Sequence, residues 1–258
     1  MKYALITGAS KGIGKDIANE LAARQYNVLL IARDSTQLQA AAQEISHTHK
    51  VDAQYLSIDL SKPDAAQEVF NWCTQNKFDI SVLVNNAGYG LNGVFGTHSL
   101  SENNNMMQVN MNVLVDLCAL LLPQLKAQPK AYILNIASSA AYQAVPYLSL
   151  YAASKAFVLT FSRGLHYELR KSPVSVTCVC PGATDTNFAS RANITSAKAI
   201  KAAEKFNMAP QTVARIAVEG MLAGKKEVIT GALNKLAAFF VWLLPKSVAE
   251  KTAAGIYE

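Results

Sequence analysis

Residues 3–14 read YALITGASKGIG, an apolar stretch that leads into a glycine-rich turn. The first five residues have the character of a buried strand, and an amphipathic helical pattern begins at Ile13. Gly8, Gly12 and Gly14 lie between the two. Glycine lets the backbone approach a ligand closely, and a helix N-terminus offers unpaired N–H groups to an anion. The stretch therefore predicts a pyrophosphate-binding turn. Its Gly-x3-Gly-x-Gly spacing differs from the common Gly-x-Gly-x2-Gly fingerprint, so a generic strand-to-helix turn remains the alternative.

Six further short apolar runs follow, and longer amphipathic stretches separate them. This alternation is typical of a parallel sheet with helices on both faces, and right-handed crossovers then give a doubly wound α/β fold. We expect one domain over residues 1–258, since folds of this kind reach that length undivided. The seven predicted strands are Tyr3–Thr7, Val28–Ala32, Ala53–Ile58, Ser81–Asn85, Ala131–Ala137, Val174–Val179 and Glu227–Thr230.

Residues 183–209 interrupt the alternation with a polar stretch that carries a few isolated apolar residues. In a doubly wound sheet the ligand crevice lies outside the carboxyl ends of the strands, where a long segment can close over it. We therefore expect a substrate lid here. The alternative is an ordinary surface excursion.

The overall composition favours a small anionic ligand over nucleic acid. The chain has a net charge of +6, but its lysines and arginines are scattered and form no basic run interleaved with aromatics. With 51% hydrophobic and 16% charged residues, we expect a large core, a comparatively uncharged surface and an oligomer. The apolar stretches Met111–Leu125 and Phe157–Leu169 are candidates for the subunit interface; burial against the sheet is the alternative.

Cysteine and histidine usage predicts neither disulfides nor a metal site. Cys73, Cys118, Cys178 and Cys180 lie in apolar surroundings and are expected to be buried free thiols. The four histidines are too dispersed for a zinc site.

The N-terminus predicts a cytoplasmic protein, because the chain enters an apolar strand by Tyr3 and leaves no room for a signal or transit peptide. The most membrane-like segment, LAAFFVWLL at 236–244, is shorter than the ~20 residues that span a bilayer, so no transmembrane segment is expected. We expect this segment to pack against another subunit or over the substrate cleft. Attachment to a membrane surface through residues 234–245 is the alternative.

Tyr151 and Lys155, in the sequence YAASK, form a candidate proton-transfer pair. If residues 148–170 are helical, the two side chains lie one turn apart on the same face, and an ammonium near a phenol favours the phenolate. A carbonyl that accepts hydride develops negative charge on its oxygen. It therefore needs a proton donor and a hydrogen-bond donor, which Tyr151 and the upstream Ser138 can supply.

The motifs TGASKGIG, NNAG, YAASK and Pro181-Gly182, with Asn110 and Ser138, occur in the order found in the short-chain dehydrogenase/reductase family. The chain resembles this family over nearly its whole length. Family members commonly form dimers and tetramers, so the resemblance implies a homodimer or homotetramer. The resemblance implies an oxidoreductase that transfers hydride between a nicotinamide cofactor and a carbonyl or secondary alcohol. It also selects Ser138 over Ser139, since the family's serine stands thirteen residues before its tyrosine.

The resemblance assigns roles residue by residue. Ser138, Tyr151, Lys155 and Asn110 become catalytic; Lys155 also binds the nicotinamide ribose, and Asn110 helps hold a water that links Lys155 to solvent. The residues implied at the cofactor are Gly8, Ser10, Lys11, Gly12, Ile13 and Gly14 in the turn, Asp59 and Leu60 at the adenine, Asn86, Ala87 and Gly88 at the adenine ribose, and Pro181, Gly182, Thr184 and Thr186 at the nicotinamide.

The end of the second strand favours NADP over NAD. NAD needs a carboxylate there for the ribose hydroxyls, whereas a 2′-phosphate needs cations. The resemblance places Ala32 at the acidic position and Arg33 at the phosphate position, with Lys11 as a second cation. Asp34 lies at about the right distance for NAD, but we expect it to cap the next helix.

The sequence thus predicts an NADP-dependent enzyme that reduces a lipophilic carbonyl compound, such as a ketone or a 3-oxoacyl thioester. An NADP redox sensor without turnover is the alternative, and the intact Ser138, Tyr151 and Lys155 argue against it. The candidate pocket residues, mostly apolar, are Tyr89, Leu91, Phe95, Tyr142, Val145, Tyr147 and Phe188.

Overall fold

A computed structural model describes residues 2–184 and 188–257. Seven parallel strands form one sheet in the order β3-β2-β1-β4-β5-β6-β7. The strands are β1 Tyr3–Thr7, β2 Asn27–Ala32, β3 Ala53–Ser57, β4 Ile80–Asn85, β5 Ala131–Ile136, β6 Val174–Cys180 and β7 Glu227–Ile229. Each predicted strand is confirmed, with ends that differ by at most one residue.

Helices connect the strands and cover both faces of the sheet. A π-helical turn, Gln108–Asn112, joins α4 to α5, and a short 3₁₀ turn, Ser139–Tyr142, follows β5. The helices of the described residues are α1 Gly12–Ala22, α2 Ser35–His49, α3 Ala65–Gln75, α4 Leu100–Met107, α5 Val113–Lys126, α6 Ser149–Glu168, α7 Phe188–Arg191, α8 Ala197–Phe206, α9 Pro210–Leu222, α10 Ala232–Leu243 and α11 Lys246–Tyr257.

The core lies in two layers, one on each face of the sheet. In β1, Leu5 packs with α3, α5 and α6 on one face, while Ala4 and Ile6 pack with α1, α2 and α9 on the other. All three side chains are fully buried. A strand with both faces covered reads as a continuous apolar run, which is why the sequence located these strands well. The doubly wound α/β fold is confirmed.

The sheet order places a crevice between β1 and β4. Strand order reverses there, because the chain passes from β1 outward to β3 and then returns to β4. In parallel α/β sheets ligands bind at this switch point, outside the carboxyl ends of the strands. The loops that follow β1, β4, β5 and β6 meet at this edge, and they carry most of the predicted site residues.

The structure shows where the four cysteines and the longest apolar helical stretch lie. All four cysteines are buried and free, as predicted. In the described part of the chain one helical stretch, Leu100–Lys126, is long and apolar enough to cross a membrane by length and composition alone. Its residues Leu117, Leu121 and Leu125 are fully buried against the sheet, which is also how a core helix behaves.

Candidate active site

The glycine turn brings the start of α1 against the carboxyl end of β1. Gly8 and Gly12 have positive φ values of 67° and 58°, which favour glycine. A Cβ on Gly14 would overlap the carbonyl oxygen of Gly8 and the side-chain amide of Asn86. The helix begins at Gly12, and no side chain caps it, so its first N–H groups are not occupied by a capping side chain. This cradle suits the pyrophosphate of a dinucleotide.

Thr7, which the sequence analysis missed, fixes the wall of this cradle. Its hydroxyl oxygen accepts hydrogen bonds from the backbone N–H groups of Asn86 and Ala87, both at 3.0 Å. Asn86 in turn donates its side-chain amide to the carbonyls of Thr7 (2.9 Å) and Gly8 (3.2 Å). The loop after β4 is therefore locked to the end of β1. The position of Thr7 just before the glycine turn was the only signal that could have indicated this role. Its hydrogen-bond partners lie almost eighty residues away in the chain, so no local pattern connects them with it.

Asn110 lies in the π-helical turn and is 1% exposed. Its side-chain oxygen accepts from Tyr89 N, and its amide donates to Tyr89 O and to the Ser154 hydroxyl, each at 3.0 Å. π-Turns in helices are frequent at functional sites, where they turn a side chain out of the helical register. Here the turn directs one amide to both the loop after β4 and helix α6. Asn110 thus ties together the two segments that border Lys155.

Tyr151 and Lys155 lie one turn apart on α6, as predicted, and the Lys155 ammonium is 5.9 Å from the centre of the Tyr151 ring. The ammonium donates to the carbonyl of Ile136 at 2.9 Å. Burial lowers the pKa of Lys155 to about 8, because a buried site disfavours the charged form. A buried bridge from Asn135 to Ser162 at 2.9 Å holds α6 against β5. These buried hydrogen bonds hold Tyr151 and Lys155 in a fixed position relative to β5.

Gly88 leaves a small gap between Lys155 and Asn110. A Cβ built on Gly88 would lie 3.0 Å from the Lys155 nitrogen and 3.1 Å from the Asn110 side-chain oxygen. Two polar groups from different elements thus face the space where Gly88 has no side chain. This arrangement is compatible with the predicted water link between Lys155 and Asn110, which stays a prediction.

Ser138 follows β5 at the same edge and precedes the 3₁₀ turn. Its hydroxyl oxygen accepts from Ala140 N at 3.1 Å, so it caps that turn. Because the oxygen is the acceptor in this bond, the hydroxyl hydrogen can still be donated to a substrate oxygen. The structural and the catalytic interpretations of Ser138 are therefore compatible.

The second strand ends in a cation rather than a carboxylate. Arg33 is exposed, and Asp34 caps α2 by accepting from Gln37 N at 2.9 Å, as expected. Asp59, after β3, accepts from Ser61 N at 3.0 Å. Burial raises the pKa of Asp59, but hydrogen bonds from Ser61 and the nearby positive charges, Arg33 among them, outweigh it and hold the pKa below its usual range. Leu60 beside it is buried.

Arg191, at the end of α7, is a second residue that the sequence analysis missed. Its guanidinium carbon lies 4.8 Å from the centre of the Tyr89 ring. Partial removal from water and the charge of Arg33 lower the pKa of Arg191. Two cations from distant parts of the chain therefore act on the same region of the crevice. No spacing in the sequence indicates this pair, because it forms only where Arg191 of α7 lies over Tyr89 in the loop after β4.

The predicted nicotinamide side follows β6. The Pro181 carbonyl accepts from Ser139 N at 2.7 Å, which holds this loop beside Ser138. A Cβ on Gly182 would overlap the side chain of Asn234, and Thr184 donates to Gly182 O at 3.1 Å. The predicted residue Thr186 lies outside the described residues.

Of the candidate pocket residues, four gather round Tyr151. Tyr89, Leu91, Val145 and Phe188 belong to one apolar cluster with it, and the Phe188 ring lies 5.1 Å from the Tyr151 ring. The other three do not belong to this cluster, and their place in the substrate pocket stays a prediction. Phe95 is 82% exposed, Tyr142 donates its hydroxyl to Glu227 at 2.7 Å and packs with the main core, and Tyr147 stands in a turn with φ of 65°.

Comparison with known proteins agrees with this geometry. The family model described as short chain dehydrogenase matches residues 2–197. The chain belongs to the short-chain dehydrogenase/reductase family. It is an oxidoreductase of that family with a Rossmann-like fold that binds a nicotinamide cofactor.

Among curated relatives, the mouse protein 17-beta-hydroxysteroid dehydrogenase type 3 is 33% identical over 238 residues, which make up 91% of this chain and 76% of the relative. The zebrafish very-long-chain 3-oxoacyl-CoA reductase-A is 34% identical over 70% of this chain, and the match spans only 57% of that relative. A solved short-chain dehydrogenase from Sphingobium yanoikuyae, in complex with NADPH, superposes with a TM-score of 0.82 at 29% identity, covering 93% of this chain and 92% of that one.

Proposed function

We propose that the protein is an NADP(H)-dependent reductase of lipophilic ketones or 3-oxoacyl compounds, with Ser138, Tyr151, Lys155 and Asn110 as its catalytic group. The observation that carries the proposal is the buried pair of Tyr151 and Lys155 at the carboxyl edge of the sheet. The Lys155 ammonium lies 5.9 Å from the centre of the Tyr151 ring. A buried cation next to a phenol is costly to fold and is expected where proton transfer needs it.

The chain's own residues would divide the chemistry as follows. Tyr151 donates its phenolic proton to the substrate oxygen, and Ser138 donates a hydrogen bond to the same atom. Lys155, held by Ile136 O, keeps a positive charge beside the phenol and so favours the phenolate left behind. Asn110 fixes the backbone on which Gly88 and Tyr89 sit. A bound nicotinamide supplies the hydride.

Preference for NADP rests on the groups at the end of β2. Arg33 is exposed there, and the carboxylate of Asp34 is already used by the cap of α2. A 2′-phosphate would therefore meet cations, with Lys11 in the glycine turn and Arg191 on α7 as further candidates. The solved relative with NADPH bound agrees with this preference. The ribose of NAD would lack its usual carboxylate partner.

The apolar cluster round Tyr151 supports a lipophilic substrate. Besides the four pocket residues it includes Met106, Leu148 and Ile194, so a ketone would approach the phenol through hydrocarbon surface. The relatives named for steroid and long-chain acyl substrates point the same way.

The region after β6 is joined to the loop after β4 by two contacts. Phe188 packs on Tyr151, and Asn92 N donates to Ala192 O at 3.0 Å. Residues 183–209 are accordingly proposed as a lid.

The proposal is tested by NADPH and NADH oxidation with a panel of steroid, aromatic and alicyclic ketones and 3-oxoacyl thioesters. Tyr151→Phe should lower kcat at least about a hundredfold while leaving NADPH binding intact, since it removes only the proton donor. Arg33→Ala should weaken NADPH and leave NADH unchanged. An equal preference for NADH would refute the NADP assignment. Full activity of Tyr151→Phe would refute the catalytic one, and NADPH binding without any turnover would favour a redox sensor.

A further inference from the structure

Helix α10 carries a large apolar surface that the rest of the described chain does not cover. Asn234, Ala238 and Val241, spaced four and three residues apart, are half-buried against the body, and no residue of the helix is buried. The outer faces are exposed, with Trp242 at 75% and Leu233 at 61%. We call this surface the apolar platform; its residues are Leu233, Leu236, Phe239, Phe240, Trp242, Leu243, Leu244 and Val248.

The aromatic residues of the apolar platform pack chiefly on one another. Phe239 lies 5.9 Å from Phe240 and 6.2 Å from Trp242, measured between ring centres, and all three stand in solvent. Contiguous apolar surface of this size is rare on a protein without a partner and marks a place of interaction. The expectation that this segment packs against another subunit or over the substrate cleft stays a prediction, because within one chain only the inner face of α10 is covered.

Charge round the apolar platform favours a partner with an anionic surface. Between Val228 and Ala249 the sequence has two lysines, Lys235 and Lys246, and no acidic residue. The Lys246 ammonium donates to Val241 O at 3.1 Å, so it stands at the end of the apolar helix. Lysines that border an apolar, tryptophan-bearing helix face are typical of helices that lie in the headgroup region of an anionic bilayer.

A second copy of the chain fits this surface less well. A two-fold contact through α10 would use the same patch on both copies of the chain. Lys235 and Lys246 of one copy would then approach the same lysines of the other. The nearest acidic residues in the sequence are Glu250, after Lys246, and Glu227, before Lys235. Glu227 is paired with Arg163. Like charges facing one another across an apolar contact oppose association.

The apolar platform also adjoins the candidate active site. Asn234, on the inner face of α10, fills the space beside Gly182, and the helix packs against the 3₁₀ turn that follows Ser138. Phe95, in the loop after β4, is 82% exposed at the same carboxyl edge of the sheet. A surface seated on α10 would therefore lie next to the mouth of the crevice.

We infer that α10 binds the surface of an anionic lipid bilayer and presents the active-site cleft to molecules dissolved in it. The first part of the inference, binding to the bilayer, is argued only from the apolar platform and its lysines. The delivery of substrate rests on the proposed function, since it requires a lipophilic carbonyl compound.

Flotation of the full chain with vesicles tests the inference. Phosphatidylcholine vesicles that contain about 30 mol% phosphatidylglycerol are compared with phosphatidylcholine alone, at about 0.1 M and about 1 M salt. The variant Phe239→Ser/Trp242→Ser removes two platform aromatics. Tyr167→Ser is the matched control, because Tyr167 is 65% exposed at the end of α6, on the opposite edge of the sheet. Sedimentation velocity without lipid and NADPH oxidation with a water-soluble ketone are measured on all three proteins.

The expected result is binding of wild type and Tyr167→Ser to anionic vesicles, weakened by salt, and at least about tenfold weaker binding of the double variant. Its turnover of the soluble ketone should be unchanged. No flotation of wild type, or equal flotation with neutral vesicles, would overturn the inference. A dimer that dissociates in the double variant, without vesicle binding, would assign α10 to a second copy instead. Vesicle binding without any NADPH oxidation would refute the proposed function and leave the membrane contact standing.

Discussion

Replacement of Lys155 by Met should change how the stability of the protein depends on pH. Lys155 is 5% exposed, and burial lowers the pKa of its ammonium from an ordinary value of 10.5 to about 8. Below the lower of these values the ammonium is charged in both the folded and the unfolded chain, and the folded protein bears the full cost of burying it. Above the higher value neither form is charged, and that cost is gone.

The sign and the size follow from proton linkage. Between about pH 8 and pH 10.5 the unfolded chain binds a proton that the folded chain has released, so this residue makes the folded state more stable as pH rises. At about 1.4 kcal/mol per pH unit the whole effect is about 3 kcal/mol. Met at this position also loses the hydrogen bond to Ile136 O, which costs about 1–3 kcal/mol. The informative quantity is therefore how the stability difference between the two proteins changes with pH.

Urea unfolding without cofactor, followed from about pH 7 to about pH 9.5, measures this difference. Relative to Lys155→Met, the free energy of unfolding of wild type should rise by about 2 kcal/mol between pH 8 and pH 9.5. Lys171→Met, which removes an exposed lysine just beyond α6, should keep the wild-type pH dependence. Parallel curves for wild type and Lys155→Met would show that the buried ammonium does not have a lowered pKa, and the reasoning would be wrong.

Two further substitutions test the walls of the crevice. Gly88→Ala places a methyl group 3.0 Å from the Lys155 nitrogen, so kcat should fall at least about tenfold with little change in melting temperature; activity equal to wild type would show that the gap is not needed. Arg191→Met should raise the Kd of NADPH about fivefold, as loss of one charge-assisted contact would, and Arg191→Lys should restore part of it. Titration of protein fluorescence with NADPH measures both constants, and an unchanged Kd would remove Arg191 from the cofactor site.

The sequence located the strands and the Tyr151–Lys155 pair because both depend on short spacings. A strand covered on both faces needs a continuous apolar run, and one helical turn needs a spacing of four. The contacts of Thr7 with Asn86 and of Arg191 with Tyr89 join distant segments, so no local pattern announces them. The place of the α10 segment could not be predicted from its sequence, because apolar residues surround the helix on most sides and no pattern distinguishes its covered face from its exposed ones.

The π-helical turn at Gln108–Asn112 lets α4 and α5 keep two different rotational phases along one continuous helical path. Met106, before the turn, is buried in the cluster with Tyr151, while Leu114, after it, is buried against the sheet. Each residue of an α-helix advances the side chain by about 100°. A π-turn inside an α-helix takes up one more residue than an α-helical turn does. Deleting a single residue inside it would therefore give a regular α-helix in which Met106 and Leu114 still face their own neighbours. What such a deletion would remove is the wide turn that directs Asn110 to Tyr89 and Ser154, so a one-residue loss in this stretch should lower activity far more than stability.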